Sequence, residues 1–176
     1  MSGAGIEIER KYLLDGAPSE VELAALGARP RVIEQVYLLS EDGWVRRVRR
    51  IEADGRSRFV LTRKRGRSGI VREEIESDLT AEEYGSLLAR ADPDRRPIRK
   101  VRHVLAHGRW TFEVDVFSEP PGLVLLEVEL DDPDDVPEIP AALGERVVRE
   151  VSTEDAYANY TLALRPGVAA HVASPG

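Results

Sequence analysis

The sequence predicts a mainly β protein, a closed eight-stranded antiparallel barrel that forms a tunnel, with a few helices around it. Two observations carry this reading. Eight stretches alternate in side-chain character with a period of two, and most are separated by short turn-like sequences rather than helix-length crossovers. Eight antiparallel strands with few helices to cover their edges lose those edges if the sheet closes on itself.

The first strand, 5–14, reads GIEIERKYLL, with Ile6, Ile8, Arg10 and Tyr12 on one face and Glu7, Glu9 and Lys11 on the other. A helix over 18–29 follows, opened by Ser19 and Glu22 in capping-box spacing and carrying Val21, Leu23, Ala24 and Leu26. Strands at 31–39, 43–52, 57–65 and 70–77 come next, with turns at EADG (52–55) and RSG (67–69). A second helix, 80–91, repeats the capping device with Thr80 and Glu83, then places Tyr84, Leu87 and Leu88 at helical spacing. Strands at 98–106, 109–117 and 123–130 complete the set, and IPAALGER near 140 reads as one further helical turn. A last helix over 152–165 starts at Ser152, has Glu154 and Asp155 in its first turn and stops before Pro166. Residues 1–166 read as one domain, and the tail 167–176 is expected to be disordered.

Composition removes several function classes. The net charge of −7 disfavours non-specific nucleic-acid binding. There is no cysteine, which excludes disulfides, thiolate metal sites and thiol nucleophiles. His103, His107 and His171 are scattered without metal-ligand spacing. The N-terminus lacks a signal pattern and no apolar run approaches the roughly 18 residues of a membrane span, so the expected location is cytoplasmic.

The charges that remain are sorted. Residues 46–72 hold eleven Arg or Lys against two acids, and residues 113–154 hold thirteen Asp or Glu against two bases. Strand by strand, one face offers Arg47 and Arg49; Thr62 and Lys64; Arg72, Glu74 and Glu76; Lys100 and Arg102; Glu113 and Asp115; Glu127 and Glu129. Nearly every one of these strands has an apolar set opposite. These faces could point to solvent around an ordinary apolar interior, or inward. A solubilising surface intersperses its signs, whereas here bases and acids fall on different strands. The chain also has 22 arginines and three lysines, and Lys11, Lys64 and Lys100 all lie on charged faces. Lysine is a compact charge whose pKa moves on burial, so its retention where arginine is otherwise preferred points to a site. Turned inward, basic and acidic walls would suit a polyanion carried with a hard divalent cation such as Mg²⁺ or Mn²⁺. No glycine-rich phosphate loop is present, so side chains would grip the phosphates.

These residues resemble the CYTH superfamily, the triphosphate tunnel metalloenzymes. The matching pieces are E-x-E-x-K in EIERK, R-x-R at 47–49, LTRK, R-x-E-x-E in REEIE, K-x-R in KVR, FEVDVF, EVEL and EVSTEDAYANYTLA, in family order over residues 6 to about 164. The resemblance implies a hydrophilic lumen and Mg²⁺- or Mn²⁺-dependent chemistry on a triphosphate. It implies that Glu7, Glu9 and Glu129 hold the metal, with Glu127 and Asp115 supporting it or a second ion. Arg47, Arg49, Lys64, Arg72 and Arg102 would bind phosphate oxygens, and Lys11 and Lys100 would stand near the attacking water or the transferred phosphoryl group. The last helix would plug one end of the tunnel. EIERKYLL, FEVDVF and Y-x-N at 157–159 most resemble the compact bacterial enzymes that cleave inorganic tripolyphosphate to pyrophosphate and phosphate. A thiamine triphosphatase, an adenylate cyclase and a non-catalytic polyphosphate- or nucleotide-binding module are the alternatives, and Trp44 is a possible stacking residue for an organic base or else a packed aromatic. The expected partner is a triphosphate-bearing small molecule, with no nucleic acid and no membrane; a homodimer is left open.

Overall fold

The computed structural model describes residues 3–167. All eight expected strands form: β1 (Gly3–Leu14), β2 (Arg29–Glu41), β3 (Trp44–Ala53), β4 (Arg56–Ser68), β5 (Val71–Leu79), β6 (Ile98–His107), β7 (Trp110–Glu119) and β8 (Val124–Glu129). They pair antiparallel in the order β5-β4-β3-β2-β6-β7-β8-β1, and β1 returns to β5 to close the barrel. A ninth strand, β9 (Val147–Glu150), was not expected. It is four residues long, too short for alternation to show. On β1, pairing with β5 ends at Ile8 and pairing with β9 begins at Tyr12, so the extra strand covers β1 beyond the reach of β5.

The apolar face of each strand points out of the barrel, and small elements cover it. Ile8, Phe112, Val114, Leu126 and Val128 are packed with Leu143 of α3 (Ala141–Gly144) and with Leu26, beside α1 (Glu20–Ala25). On the β2–β4 side, Leu38 and Val48 lie under Tyr84 and Leu87 of α2 (Ala81–Leu88), with the Phe59 and Tyr84 rings 4.8 Å apart. Covering both ends of the hydrophobic ledger this way leaves the barrel interior free for charge. Both capping boxes form as expected. The first helix is shorter than its sequence pattern because Gly27, at φ +69°, turns the chain toward β2.

The expected helix over 152–165 is replaced by a 3₁₀ turn (Asp155–Tyr157) and one α turn, α4 (Asn159–Leu162). Ala158 between them is extended (φ −69°, ψ 131°). The carbonyls of the second turn are tied to the neighbouring connection: the Arg95 guanidinium bonds that of Tyr160 and the Arg96 N–H bonds that of Ala163. The segment nevertheless closes one end of the barrel, where Tyr157, Tyr160 and Leu162 pack with Tyr37, Phe117 and Leu125. Among the described residues no helix is long and apolar enough to cross a membrane. The tail expected to be disordered lies, apart from Gly167, outside the described residues.

Candidate active site

The register brings the charged faces together inside the barrel. Lys11 stands opposite Glu127 and Glu9 opposite Glu129 on the β1–β8 pair, and Glu127 stands opposite Glu113 on β8–β7. Arg102 faces Asp115 on β6–β7 and Arg31 on β6–β2, Arg47 faces Thr62 on β3–β4, and Lys64 faces Glu74 on β4–β5. Opposed residues share a face, so these side chains line one lumen. Acids gather on β1, β7 and β8, and bases on β3, β4 and β6.

Two cations organise the acidic wall. Arg102 donates Nε and Nη2 to the two oxygens of Asp115, each at 2.7 Å, and Nη2 also reaches Glu127 at 2.7 Å. It pairs with Glu113 as well. Lys11 Nζ lies 2.7 Å from Glu127 and 3.4 Å from Glu9. Asp115 also accepts from Lys100, and both are buried, at 0% and 3% exposure. Asp115 and Glu127 are therefore saturated with cations. Burial alone would raise Glu127, but Lys11, Arg102 and Lys100 outweigh it and hold the carboxyl well below its usual range. The same contact raises Lys11 against the opposing effect of burial.

The acids nearer the mouth behave oppositely. Burial and then Glu127 raise Glu9; burial, Glu127 and Asp115 raise Glu113; burial, Glu7 and Glu113 raise Glu129. Lys64 lies between Glu7 and Glu74, 2.6 Å from each. Because lysines are interleaved with these carboxylates, no three acidic or histidine side chains among the described residues come together closely enough to hold a metal ion. The donor chemistry still fits one. Hard carboxylate oxygens from Glu7, Glu9, Glu113 and Glu129 line one region, and burial together with mutual repulsion raises Glu9, Glu113 and Glu129, a repulsion that a cation would relieve.

On the basic wall, Arg49 pairs with Glu76, which also accepts from Thr62 at 2.9 Å. Burial and the neighbouring Arg47 lower Arg49 to about 10. Arg47 has no carboxylate partner among the described residues, and its Nε is buried without a hydrogen bond. Burial lowers Lys100 and Arg102 adds to this, with Asp115 only partly offsetting them. Arg72 behaves differently: its guanidinium bonds the carbonyl of Val71 at 3.0 Å and that of Gly69, at the β4–β5 turn.

The structure thus gathers Glu7, Glu9, Lys11, Arg47, Arg49, Lys64, Lys100, Arg102, Asp115, Glu127 and Glu129 on one lumen, with Arg72 at its edge. Glu113 was read as part of a charged face but not as a site residue; its shared face with Asp115 was the available signal. Glu74 and Glu76 were passed over in the same way. Trp44 alternates with Val45 and so faces outward, where the Arg65 guanidinium lies 4.7 Å over its ring. It is a packed surface aromatic, not a lumen residue.

A closed antiparallel tunnel with cationic and acidic walls is a distinctive architecture, and comparison with known proteins identifies it. The CYTH domain family model matches residues 5–155, and the chain belongs to that family. The inorganic triphosphatase NE1496 is 24% identical over 90% of this chain and 98% of its own, with a TM-score of 0.56. The PH1819 protein from Pyrococcus horikoshii OT3 is 20% identical over 79% of this chain and 85% of its own, at 0.54. A putative adenylate cyclase from Bacillus halodurans is 16% identical over 75% and 84%, also at 0.54. At such identities the likeness speaks to the fold alone. No curated protein matches the sequence.

Proposed function

We propose that the protein is a divalent-metal-dependent triphosphatase that hydrolyses inorganic tripolyphosphate to pyrophosphate and phosphate. The observation that carries this is Arg47, a guanidinium inside the barrel that makes no ion pair among the described residues, its Nε buried without a hydrogen bond, although Tyr37, Glu74 and Glu7 hold it charged against burial. It stands beside Arg49 and Lys64 on one wall and across from a crowd of carboxylates on the other. On the basic side a guanidinium stands outside the ion pairs, on the acidic side Glu9, Glu113 and Glu129 have raised carboxyls, and a metal–triphosphate complex supplies opposite charge to both. NE1496, an inorganic triphosphatase, and membership of the CYTH family support this reading. With Trp44 outside the lumen, that residue offers no platform for an organic base.

Glu7, Glu9 and Glu129, with Glu113 beside them, would hold Mg²⁺ or Mn²⁺, which would neutralise phosphate oxygens. Arg47, Arg49, Lys64 and Arg102 bind the remaining oxygens, with Arg72 at the edge. Asp115 and Glu127 support the site by holding Lys100, Arg102 and Lys11 in place. Lys11, held as an ammonium by Glu127 and Glu9, stabilises developing charge. Lys100, whose proton is loosened by burial and Arg102, orients the attacking water and accepts its proton.

The test is phosphate release from tripolyphosphate, ATP and thiamine triphosphate by the purified protein, with Mg²⁺ or Mn²⁺ and with excess EDTA. Tripolyphosphate is expected to be cleaved fastest, and only with metal. Undiminished turnover in EDTA removes the metal role. Cyclic AMP as the main product from ATP moves the enzyme to a cyclase reading.

A further inference from the structure

One end of the lumen is floored by apolar side chains. Tyr37, Phe117 and Leu125 share the lumen face with Arg47, Lys100 and Asp115, their opposed residues on neighbouring strands. They pack against Val151, Tyr160 and Ala163, of which Val151 and Ala163 are 1% and 0% exposed. Phosphoryl oxygens pressed on such a floor would lose water and gain no partner, which is strongly unfavourable. The cations just above it, Arg47 and Lys100, mark the deepest position where an anion is matched.

One buried side chain latches that floor. The Arg95 guanidinium lies 3.2 Å over the Tyr160 ring and donates to the Tyr160 carbonyl. Its Nε donates to Asp92 at 3.2 Å, and the Asp92 N–H donates to the Tyr37 carbonyl at 2.9 Å. Tyr37 and Tyr160 meet edge to face, with centroids 5.1 Å apart. On either side, the Arg96 N–H bonds the Ala163 carbonyl and the Arg165 N–H bonds that of Asp94. The connection from α2 to β6 therefore ties the end of β2 to the C-terminal segment, and Arg95 is its centre.

Because that end is closed, we propose that the site takes a polyphosphate only end first, so that a chain capped at both ends is excluded, and that Arg95 is the positioning residue that keeps the end shut. This rests on the triphosphate reading above. The leading phosphoryl group stops at Arg47 and Lys100, and whatever follows extends toward the mouth. A chain capped at both ends has no anionic end to lead with, and the floor leaves no room for a cap.

A matched pair of ligands tests this: a nucleoside 5′-tetraphosphate, with one free end, and a dinucleoside tetraphosphate with the same phosphates and none. Affinities are read from concentration-dependent melting shifts of the full chain with Mg²⁺, alongside tripolyphosphate. The capped ligand is expected to bind about tenfold more weakly or worse. Equal binding by the two overturns end-first entry while leaving the triphosphate reading intact; failure of tripolyphosphate to bind overturns that reading itself. Arg95→Ala is expected to raise amide exchange at Tyr157, Leu162 and Ala163 and to bring the two affinities together, because vacating the floor makes room for the second cap. Tyr160→Ala, which removes the ring that Arg95 covers, gives the same readout if Arg95→Ala fails to fold. A folded Arg95→Ala protein with wild-type exchange and wild-type discrimination overturns the latch.

Discussion

Lys11 and Glu127 face each other across the β1–β8 pair with their charged groups 2.7 Å apart, and little water reaches either. Glu127 also holds Arg102, so this carboxylate neutralises two cations at once. Replacing it by Gln leaves Lys11 with only Glu9, at 3.4 Å, and takes one carboxylate from Arg102, which keeps Asp115 and Glu113; breaking a buried pair typically costs about 3–5 kcal/mol. Urea unfolding of Glu127→Gln without metal is expected to show a loss of that size. The Glu127 carboxyl is depressed in the fold, so its stabilising contribution is present above the usual carboxyl range and is lost as pH falls through the depressed value. A variant within about 1 kcal/mol of wild type would mean that Arg102 and Lys11 find other partners.

The mouth acids predict the opposite pH behaviour. Glu9, Glu113 and Glu129 are raised, so their ionised forms strain the metal-free fold, and that strain builds as pH rises from the ordinary carboxyl value to their raised folded values and is complete above them. Mg²⁺ or Mn²⁺ should therefore raise the melting temperature near neutral pH, by an increment that shrinks as pH falls and these carboxyls protonate. Glu9→Gln and Glu129→Gln should keep or raise metal-free stability, shrink the metal increment and cut turnover by orders of magnitude. The same holds for Glu7→Gln in turnover and metal increment, although there the Lys64 pair is also lost. A metal increment independent of pH between the acid range and neutrality would place the ion elsewhere.

Arg47 and Arg49 are two residues apart on one face, yet their substitutions should differ. Arg47 makes no ion pair among the described residues, so Arg47→Ala should cost less stability than Arg49→Ala while weakening tripolyphosphate binding. The expected loss is about 1.5–3 kcal/mol, or roughly tenfold to a hundredfold, the worth of a charge-assisted hydrogen bond. Arg49→Ala strips Glu76 of its partner and should cost stability as well. Equal unfolding midpoints for the two variants would contradict this division.

Much of this arrangement was legible because each strand has two differently used faces. In GIEIERKYLL and WTFEVDVF the alternation alone separates Ile8 and Phe112, which pack outside, from Glu7 and Glu113, which line the lumen. Which face is inside is a tertiary matter, and the sorting of signs and the lysine bias were indirect signals of it. The partners of each acid were not legible. That Asp115 is saturated by Lys100 and Arg102 while Glu129 faces other acids depends on register between strands far apart in sequence. Residues 152–165 have helical composition, yet the extended backbone at Ala158 splits them, and the groups that anchor the second part, Arg95 and Arg96, lie outside the segment.

Lys100 gives the sharpest test of mechanism. Its ammonium is buried, with Arg102 as a repelling neighbour, and Asp115 restores only part of what burial removes, so its pKa lies below the ordinary lysine value. An amine that must lose its proton to act as a base becomes competent as pH rises through that lowered value, so kcat should climb into the alkaline range. Lys11 is raised instead and stays protonated throughout, so its replacement should not move this limb. Lys100→Arg keeps the charge that Asp115 expects but cannot titrate, and should lose about 10²–10⁴-fold in kcat while KM changes little. Lys64→Arg, at the Glu7–Glu74 pair, should chiefly raise KM. The measurement is kcat and KM against pH for wild type and both variants. A Lys100→Arg enzyme with a normal rate and an unchanged alkaline limb would remove the base role and leave Lys100 as one more cation of the phosphate wall.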